Sequence, residues 1–228
     1  MRFRPTSRNQ TAITRVEVLI VAVCVLMLVA LVATLMPREL ARRQLIACQN
    51  QLKHVGLAFK VFPNDSDDRF PIATPGSLAY KNETDAWLHF QTMSNELGSA
   101  KLLICPTDRE RLWNRAENFA MGRAANSLSL AHHGNRAVSY FVGVEAAEAQ
   151  PNLLLAGDRN LVSSNLIGPM LTITSGVSVA WSDNLHRRVG SAVLADGSVQ
   201  MLNLEDLQRH MLLTPHAPTN RLLMPLAP

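Results

Sequence analysis

The stretch Thr14-Arg15-Val16-Glu17, followed by Val18-Leu19-Ile20-Val21-Ala22-Val23-Cys24-Val25-Leu26-Met27-Leu28-Val29-Ala30-Leu31-Val32-Ala33-Thr34-Leu35, decides the architecture. From Val18 to Leu35 only Cys24 and Thr34 are not plainly apolar, and no charge interrupts the run. Eighteen residues of this kind are long enough to be read as a transmembrane helix. Ahead of the run lies a basic stretch, Met1–Gln10, with Arg2, Arg4 and Arg8. A secretory signal would end its apolar region in a small-residue cleavage site and then a polar mature start. Here Met36-Pro37-Arg38-Glu39 leads instead into another helical pattern. The segment therefore reads as a retained anchor, and 228 residues leave room beside it for one domain of ordinary size.

Glu17 stands at the edge of that helix. A carboxylate there is costly unless it is neutralised or paired. One reading is an interfacial glutamate that reaches lipid headgroups; the other is a charge that needs a partner.

The formal charge of +4 does not point to nucleic acid. Arg2, Arg4 and Arg8 supply three of those charges, so without residues 1–12 the balance would be +1. Aromatics are only 5% of the chain, and no basic patch interleaved with them follows. Three cysteines do not make a disulfide scaffold. Cys24 reads as a small hydrophobe inside the apolar run. Cys48 and Cys105 can pair if the domain is exported; two unpaired buried thiols are the alternative.

Beyond the anchor, Pro37 is expected to end or kink the first helical segment. Then Leu40, Leu45, Ile46, Leu52, Val55, Leu57, Phe59 and Phe62 recur at mostly three- and four-residue intervals. That spacing predicts an amphipathic helix over 37–63. Asn64-Asp65-Ser66-Asp67-Asp68-Arg69 closes it as a solvated turn; its acids lack the spacing of a calcium loop. A short helix is expected over Asp85–Leu97 and another over Glu205–Leu213. Strands are expected at Val138–Val144, Asn152–Ala156, Leu171–Thr174, Val177–Trp181, Ser191–Ala195 and Val199–Leu202. Asp196-Gly197 between the last two is a two-residue hairpin signal, because glycine accepts a positive φ. The Pro-containing tail, 214–228, is expected to be loose. The fold class is α+β: a long N-terminal transmembrane helix continuing into a small antiparallel-sheet domain over 64–213.

No catalytic fingerprint stands out. H-E-x-x-H, G-x-S-x-G, P-loop and dinucleotide motifs are all missing from the sequence. His132 and His133 are adjacent, so on a strand their rings would point apart. His186 and Asp196 would be the pair for a membrane-tethered hydrolase. The structural alternative has Asp196 shape a hairpin while His186 bonds nearby backbone. Gly157-Asp158-Arg159-Asn160 reads as a turn rather than a phosphate cradle. The expectation is a structural protein, not an enzyme, without metal or cofactor.

The segment Ala12-Ile13-Thr14-Arg15-Val16-Glu17-Val18-Leu19-Ile20-Val21 resembles the start of type IV pilins and type II secretion pseudopilins. In that family a prepilin peptidase removes a short basic leader after glycine or alanine, four positions ahead of an invariant glutamate. The resemblance implies a leader over 1–12, cleavage between Ala12 and Ile13, methylation of the new α-amino group, and an assembly helix over 13–36. It makes Glu17 the family's glutamate, whose carboxylate meets the ammonium of a neighbouring subunit and sets the axial stagger. Alanine at Ala12 replaces the commoner glycine, and Arg15 replaces a residue usually uncharged. Further resemblances lie downstream, to pseudopilin-like families of planctomycete and verrucomicrobial type. Cys48-Gln49-Asn50-Gln51-Leu52-Lys53 is similar to their C-x-N-x-L-K element, Cys105-Pro106-Thr107-Asp108 to C-P-x-D, and His186 through Gly197 to H-x9-D-G. The implied partners are a prepilin peptidase, sister pseudopilins or further copies of the chain, and an inner-membrane assembly platform with its ATPase. The implied location is the bacterial inner membrane, single-pass. The leader arginines favour a cytoplasmic N-terminus, with the domain periplasmic or in a filament. The principal rival is an anchored periplasmic binding domain that never polymerises.

Overall fold

The computed structural model describes residues 14–164, 166–174, 177–212 and 220–226. The chain divides into two compact units, one up to Arg43 and one from Gln44 onward. Helix α1, Arg15–Val61, contributes to both. In the first unit every residue from Thr14 to Met36 is exposed. Arg15–Met36 is, by length and composition, apolar enough to cross a membrane. Of the two outcomes expected at Pro37, an end does not occur: α1 continues through it. Proline removes one donor and crowds one carbonyl, a small loss in a helix of 47 residues whose flanking turns keep their bonds. Just ahead of it the Thr34 hydroxyl donates to the Leu31 carbonyl at 2.8 Å.

The second unit is α+β. From Gln44 the helix buries Cys48, Leu52, Val55, Gly56, Ala58 and Phe59, a stripe at helical spacing. Ile46 and Leu57, expected within that stripe, are about half exposed. Gly56 lets the helix approach the sheet, since a Cβ there would lie 2.8 Å from Val193 Cγ1. Phe59 packs edge-on against Phe70 and Phe90 at ring separations of 5.9 and 6.3 Å. After α1 the chain tightens into a 3-10 turn, Phe62–Asp65, and Asp67 and Asp68 take positive φ in the polar loop that follows. The helix expected over 85–97 is two: α2, Ala86–Thr92, and α3, Ser94–Leu97, separated at Met93. A further short helix, α4, spans Leu130–His133.

Among the described residues the strands are β1 (Tyr140–Gly143), β2 (Leu154–Asp158), β3 (Leu161–Ser163), β4 (Leu166–Ile167), β5 (Met170–Ile173), β6 (Val179–Trp181), β7 (Gly190–Leu194), β8 (Val199–Leu202) and β9 (Asn220–Leu223). Seven form one sheet in the order β4-β5-β9-β1-β2-β7-β8, and β3 pairs with β6 apart from it. Every pairing is antiparallel. Side chains alternate between two buried layers, as the strand period of two requires. Tyr140, Val142, Val193 and Leu223 join the layer that holds α1. Phe141, Ala192, Leu194 and Leu222 join the layer that holds Trp181 and Leu207, the latter from α5, Leu204–Leu212. With both faces covered, the inner strands read as unbroken apolar runs rather than alternating ones.

Two expectations need correction. The tail expected to be loose contains β9, an inner strand between β1 and β5, with Leu222 and Leu223 fully buried. Its short length and flanking prolines concealed it, while its neighbours supply the hydrogen bonds. The β7–β8 hairpin is present, but its connection is wider than two residues. The Gly197 N–H donates to the Leu194 carbonyl at 2.8 Å, and the Leu194 N–H to Ser198 at 2.9 Å. Ala195-Asp196-Gly197 therefore forms a three-residue loop with Gly197 at φ +87°, the glycine-bulge form of hairpin.

His89 of α2 is buried, with Nε2 3.2 Å from the Asn82 carbonyl. Burial pushes its pKa down to about 4, against the pull of that carbonyl. A histidine whose folded pKa lies below its unfolded value near 6.5 stabilises fully above pH 6.5, and the contribution fades as pH falls toward 4. His89→Gln keeps a donor for Asn82 and cannot charge. Between pH 7 and pH 5 its urea-measured stability should fall by about 2 kcal/mol less than that of the native sequence.

Candidate functional site

The ends of distant elements meet at one buried cluster in the second unit. Cys48 comes from α1 and Cys105 from the loop after the 3-10 helix Ala100–Leu103. They are joined as a disulfide with a Cα–Cα distance of 5.1 Å, closing a sequence separation of 57. In the chain-entropy view a loop of that size stabilises the fold by about 4 kcal/mol. Asp158, the last residue of β2, and His186, from the loop between β6 and β7, complete the cluster. The Cys48 Sγ lies 3.4 Å from Asp158 Oδ1. His186 Nε2 lies 3.4 Å from the Cys105 Sγ and 3.5 Å from Asp158 Oδ2. The four ligand atoms all fall within 4.8 Å of one another, and all four residues are buried. Among the described residues this is where three or more potential metal-ligating side chains of His, Cys, Asp and Glu converge.

Local structure holds each member. The Ser191 N–H of β7 donates to Asp158 Oδ2 at 2.7 Å. The Tyr140 hydroxyl lies 3.6 Å from the Cys48 Sγ and donates to Gln51 at 3.3 Å. Thr107 Oγ1 sits 2.9 Å from the Cys105 Sγ and 3.4 Å from both ring nitrogens of His186. Asn160 clamps the loop that carries His186, donating to the carbonyls of Ser182 and Val189 at 3.1 and 3.2 Å. Within that loop Arg187 and Arg188 both take positive φ, at 53° and 65°, a conformation unfavourable for arginine, and the Arg188 N–H donates to the Ser182 carbonyl at 3.3 Å.

The electrostatics follow from burial. Burial pushes Asp158 up to about 7, with the Ser191 N–H opposing and the charge of Asp108 adding. Burial likewise pushes His186 below its ordinary value despite the nearby Asp108. The His186–Asp158 contact is therefore between groups that both favour their neutral forms, and it is not a strong ion pair. Tyr140 is held well above its ordinary range, chiefly by burial.

Beside the cluster, Asp108 anchors a charged network. Arg159 donates to both of its oxygens, from Nε at 2.7 Å and from an Nη at 2.8 Å, and also pairs with Glu110. The Ser139 hydroxyl donates to Asp108 at 2.8 Å. Burial alone would raise the Asp108 carboxyl, but the bonds and charge of Arg159, with Ser139 and Arg111, hold it below its usual range. Arg111 donates to the carbonyls of Asn135, Val138 and Pro225, tying this network to the chain beyond β9.

Several residues singled out in the sequence thus come together, and others do not. Cys48, Cys105 and His186 share the cluster. His186 contacts side chains, not the backbone expected for it. Asp196 is exposed in its turn, where its Oδ1 accepts the Ser198 N–H at 2.8 Å. Gly197 supplies the turn's positive φ. His132 and His133 lie on a helix rather than a strand, their rings edge-on at 5.1 Å. Of Gly157-Asp158-Arg159-Asn160, expected as a turn, Gly157 and Asp158 end β2, where Asp158 pairs with Tyr140, while Arg159 and Asn160 form the bend that leads to β3. An ionisable residue at the close of the apolar run Leu153–Ala156 was the available signal for it.

At the start of α1, Glu17 is already bonded within its own chain. Its Oε2 accepts from the Thr14 N–H at 2.8 Å and the Thr14 hydroxyl at 3.0 Å, and the Glu17 N–H donates to Thr14 Oγ1 at 3.3 Å. Thr14-Arg15-Val16-Glu17 is a capping box. Ala12 and Ile13 lie outside the described residues.

Searches among protein-family models, curated proteins and solved structures find no match for this chain. Asp108→Asn preserves shape while removing the charge that Arg159 grips. It should lower the urea-measured stability of the full chain by about 3 kcal/mol, because the guanidinium loses the buried one of its two carboxylate partners.

Proposed function

We propose that the chain is a pilin-like structural subunit, a pseudopilin, which is trimmed by a prepilin peptidase and assembled into a type II secretion or type IV pilus-like filament. The single observation that carries this reading is an exposed apolar helix, Arg15–Met36, opening on Thr14-Arg15-Val16-Glu17 at the position the prepilin pattern requires. An exposed apolar surface of that extent needs lipid or other apolar helices around it, and a filament core supplies the second as a membrane supplies the first. In this reading the N-terminus is cytoplasmic before processing. The α+β domain then lies on the periplasmic side or on the filament surface. The partners are the peptidase, sister subunits, and an inner-membrane platform with its ATPase.

Within an assembly, the ammonium left at Ile13 would meet the Glu17 carboxylate of a neighbouring copy. In a low-dielectric core, stranding either charge is costly, so the pair would define the axial step. The chain's work is then positional, and no reaction is asked of it.

One observation favours the rival, a membrane-anchored domain that does not polymerise. The Thr14–Glu17 capping box already satisfies Glu17 without a second subunit. Glu17→Gln separates the two readings, because glutamine serves in a capping box but carries no charge. Co-expression with a prepilin peptidase should shorten both proteins to begin at Ile13, as read by mass spectrometry of the N-terminus. The filament reading expects Glu17→Gln to cut incorporation into filaments at least tenfold while cleavage persists. Equal incorporation would remove the registry role, and an uncut Met1 N-terminus on a monomeric membrane protein would favour the rival.

A further inference from the structure

The geometry points to a redox-gated metal site. In the dithiol form, Cys48 Sγ, Cys105 Sγ, His186 Nε2 and a carboxylate oxygen of Asp158 would hold a divalent, borderline-soft cation, with zinc the best fit; the disulfide form excludes it. This inference stands apart from the filament reading and holds whether or not the chain polymerises.

Tetrahedral zinc takes Zn–S bonds near 2.3 Å and Zn–N or Zn–O bonds near 2.0–2.1 Å. Those lengths place neighbouring donors about 3.4 to 3.6 Å apart across a sulfur–nitrogen, sulfur–oxygen or nitrogen–oxygen edge. Three non-covalent contacts within the cluster are 3.4 Å (Cys105 to His186), 3.4 Å (Cys48 to Asp158) and 3.5 Å (His186 to Asp158). The Cys48 contact ends on Asp158 Oδ1 and the His186 contact on Oδ2, so with either oxygen as the ligand two edges already match a tetrahedron. The sulfur–sulfur edge needs to open from a bond to a contact, which cysteine side-chain rotation can supply.

The donor set is two soft thiolates, one imidazole and one carboxylate, a combination that suits zinc better than calcium or magnesium, which prefer oxygen alone. The surrounding groups orient the donors as outer partners do at metal sites. Ser191 N–H bonds the Asp158 carboxylate, Thr107 Oγ1 reaches both the Cys105 sulfur and His186 Nδ1, and Asn160 fixes the base of the His186 loop. Burial explains why a cation belongs there in the reduced state. Two thiolates and a carboxylate with no solvent cannot all stay charged without a counterion.

The chemistry balances. A trialkylphosphine and one water reduce the Cys48–Cys105 bond, giving two thiols and the phosphine oxide. The cation then displaces both thiol protons, and the proton of Asp158 where that is present, and it changes no oxidation state. Removing the cation and oxidising the dithiol with a disulfide-donating oxidant, itself reduced to two thiols, regenerates the closed form.

The test uses the full chain in detergent micelles with Cys24→Ser, leaving Cys48 and Cys105 as its only cysteines. Cobalt(II) is the probe, because tetrahedral thiolate coordination gives intense visible bands and an ultraviolet thiolate-to-cobalt band. After phosphine reduction and removal of adventitious metal, titration should produce these bands, saturate at one cobalt per chain and be reversed by zinc. The oxidised protein should give none. His186→Gln should weaken cobalt binding at least tenfold while the reduced protein keeps its circular dichroism spectrum. Absence of the bands in the reduced native sequence, folded or not, would overturn the site, as would unchanged binding in His186→Gln.

Discussion

Asp158 is a carboxylate with no solvent exposure at the end of an inner strand, and the second unit is arranged around meeting its needs. A carboxyl group placed there is costly unless other elements bring partners to it. Strand β7 brings the Ser191 N–H, α1 brings the Cys48 sulfur, and the β6–β7 loop brings His186, whose ring also meets the Cys105 sulfur. Next to it, Asp108 has solved the same problem differently. There Arg159 and Ser139 keep the charge, whereas at Asp158 burial favours the proton. Two nearby acids are thereby shifted in opposite directions by their surroundings, one gripped by a guanidinium and one not.

The disulfide gives this arrangement its topological consequence. It fastens the buried face of α1 to the segment that precedes the sheet, so the helix is held by a covalent link as well as by Leu52, Val55 and Phe59. The same cysteines would serve as metal donors when reduced, so in that proposal the disulfide and the metal site exclude one another.

Glu17 illustrates how a single residue can carry two physical explanations of different range. Its bonds to Thr14 close the first turn of α1 locally, and they are worth a cap. The charge itself, which a glutamine would lack, matters only if a partner approaches from another chain. The geometry of one chain contains the first explanation, and the proposed assembly requires the second.

Features that depend on near neighbours were legible in the residues. Eighteen uncharged residues from Val18 made a helix able to span a bilayer, the three- and four-residue spacing of Leu52, Val55, Phe59 and Phe62 made the face that packs, and Gly197 marked a hairpin. Cys48, Cys105 and His186 were visible as motif residues, but their convergence was not. Tertiary structure alone decided that they meet around Asp158, that Asp196 stays outside, and that β9 is an inner strand. The reason is range. Helical and strand periodicity is written within a few residues, whereas the cluster joins positions 57, 81 and 110 residues apart, and β9 owes its order to neighbours that precede it by dozens of positions. Such contacts depend on how the whole chain closes, which no local pattern encodes.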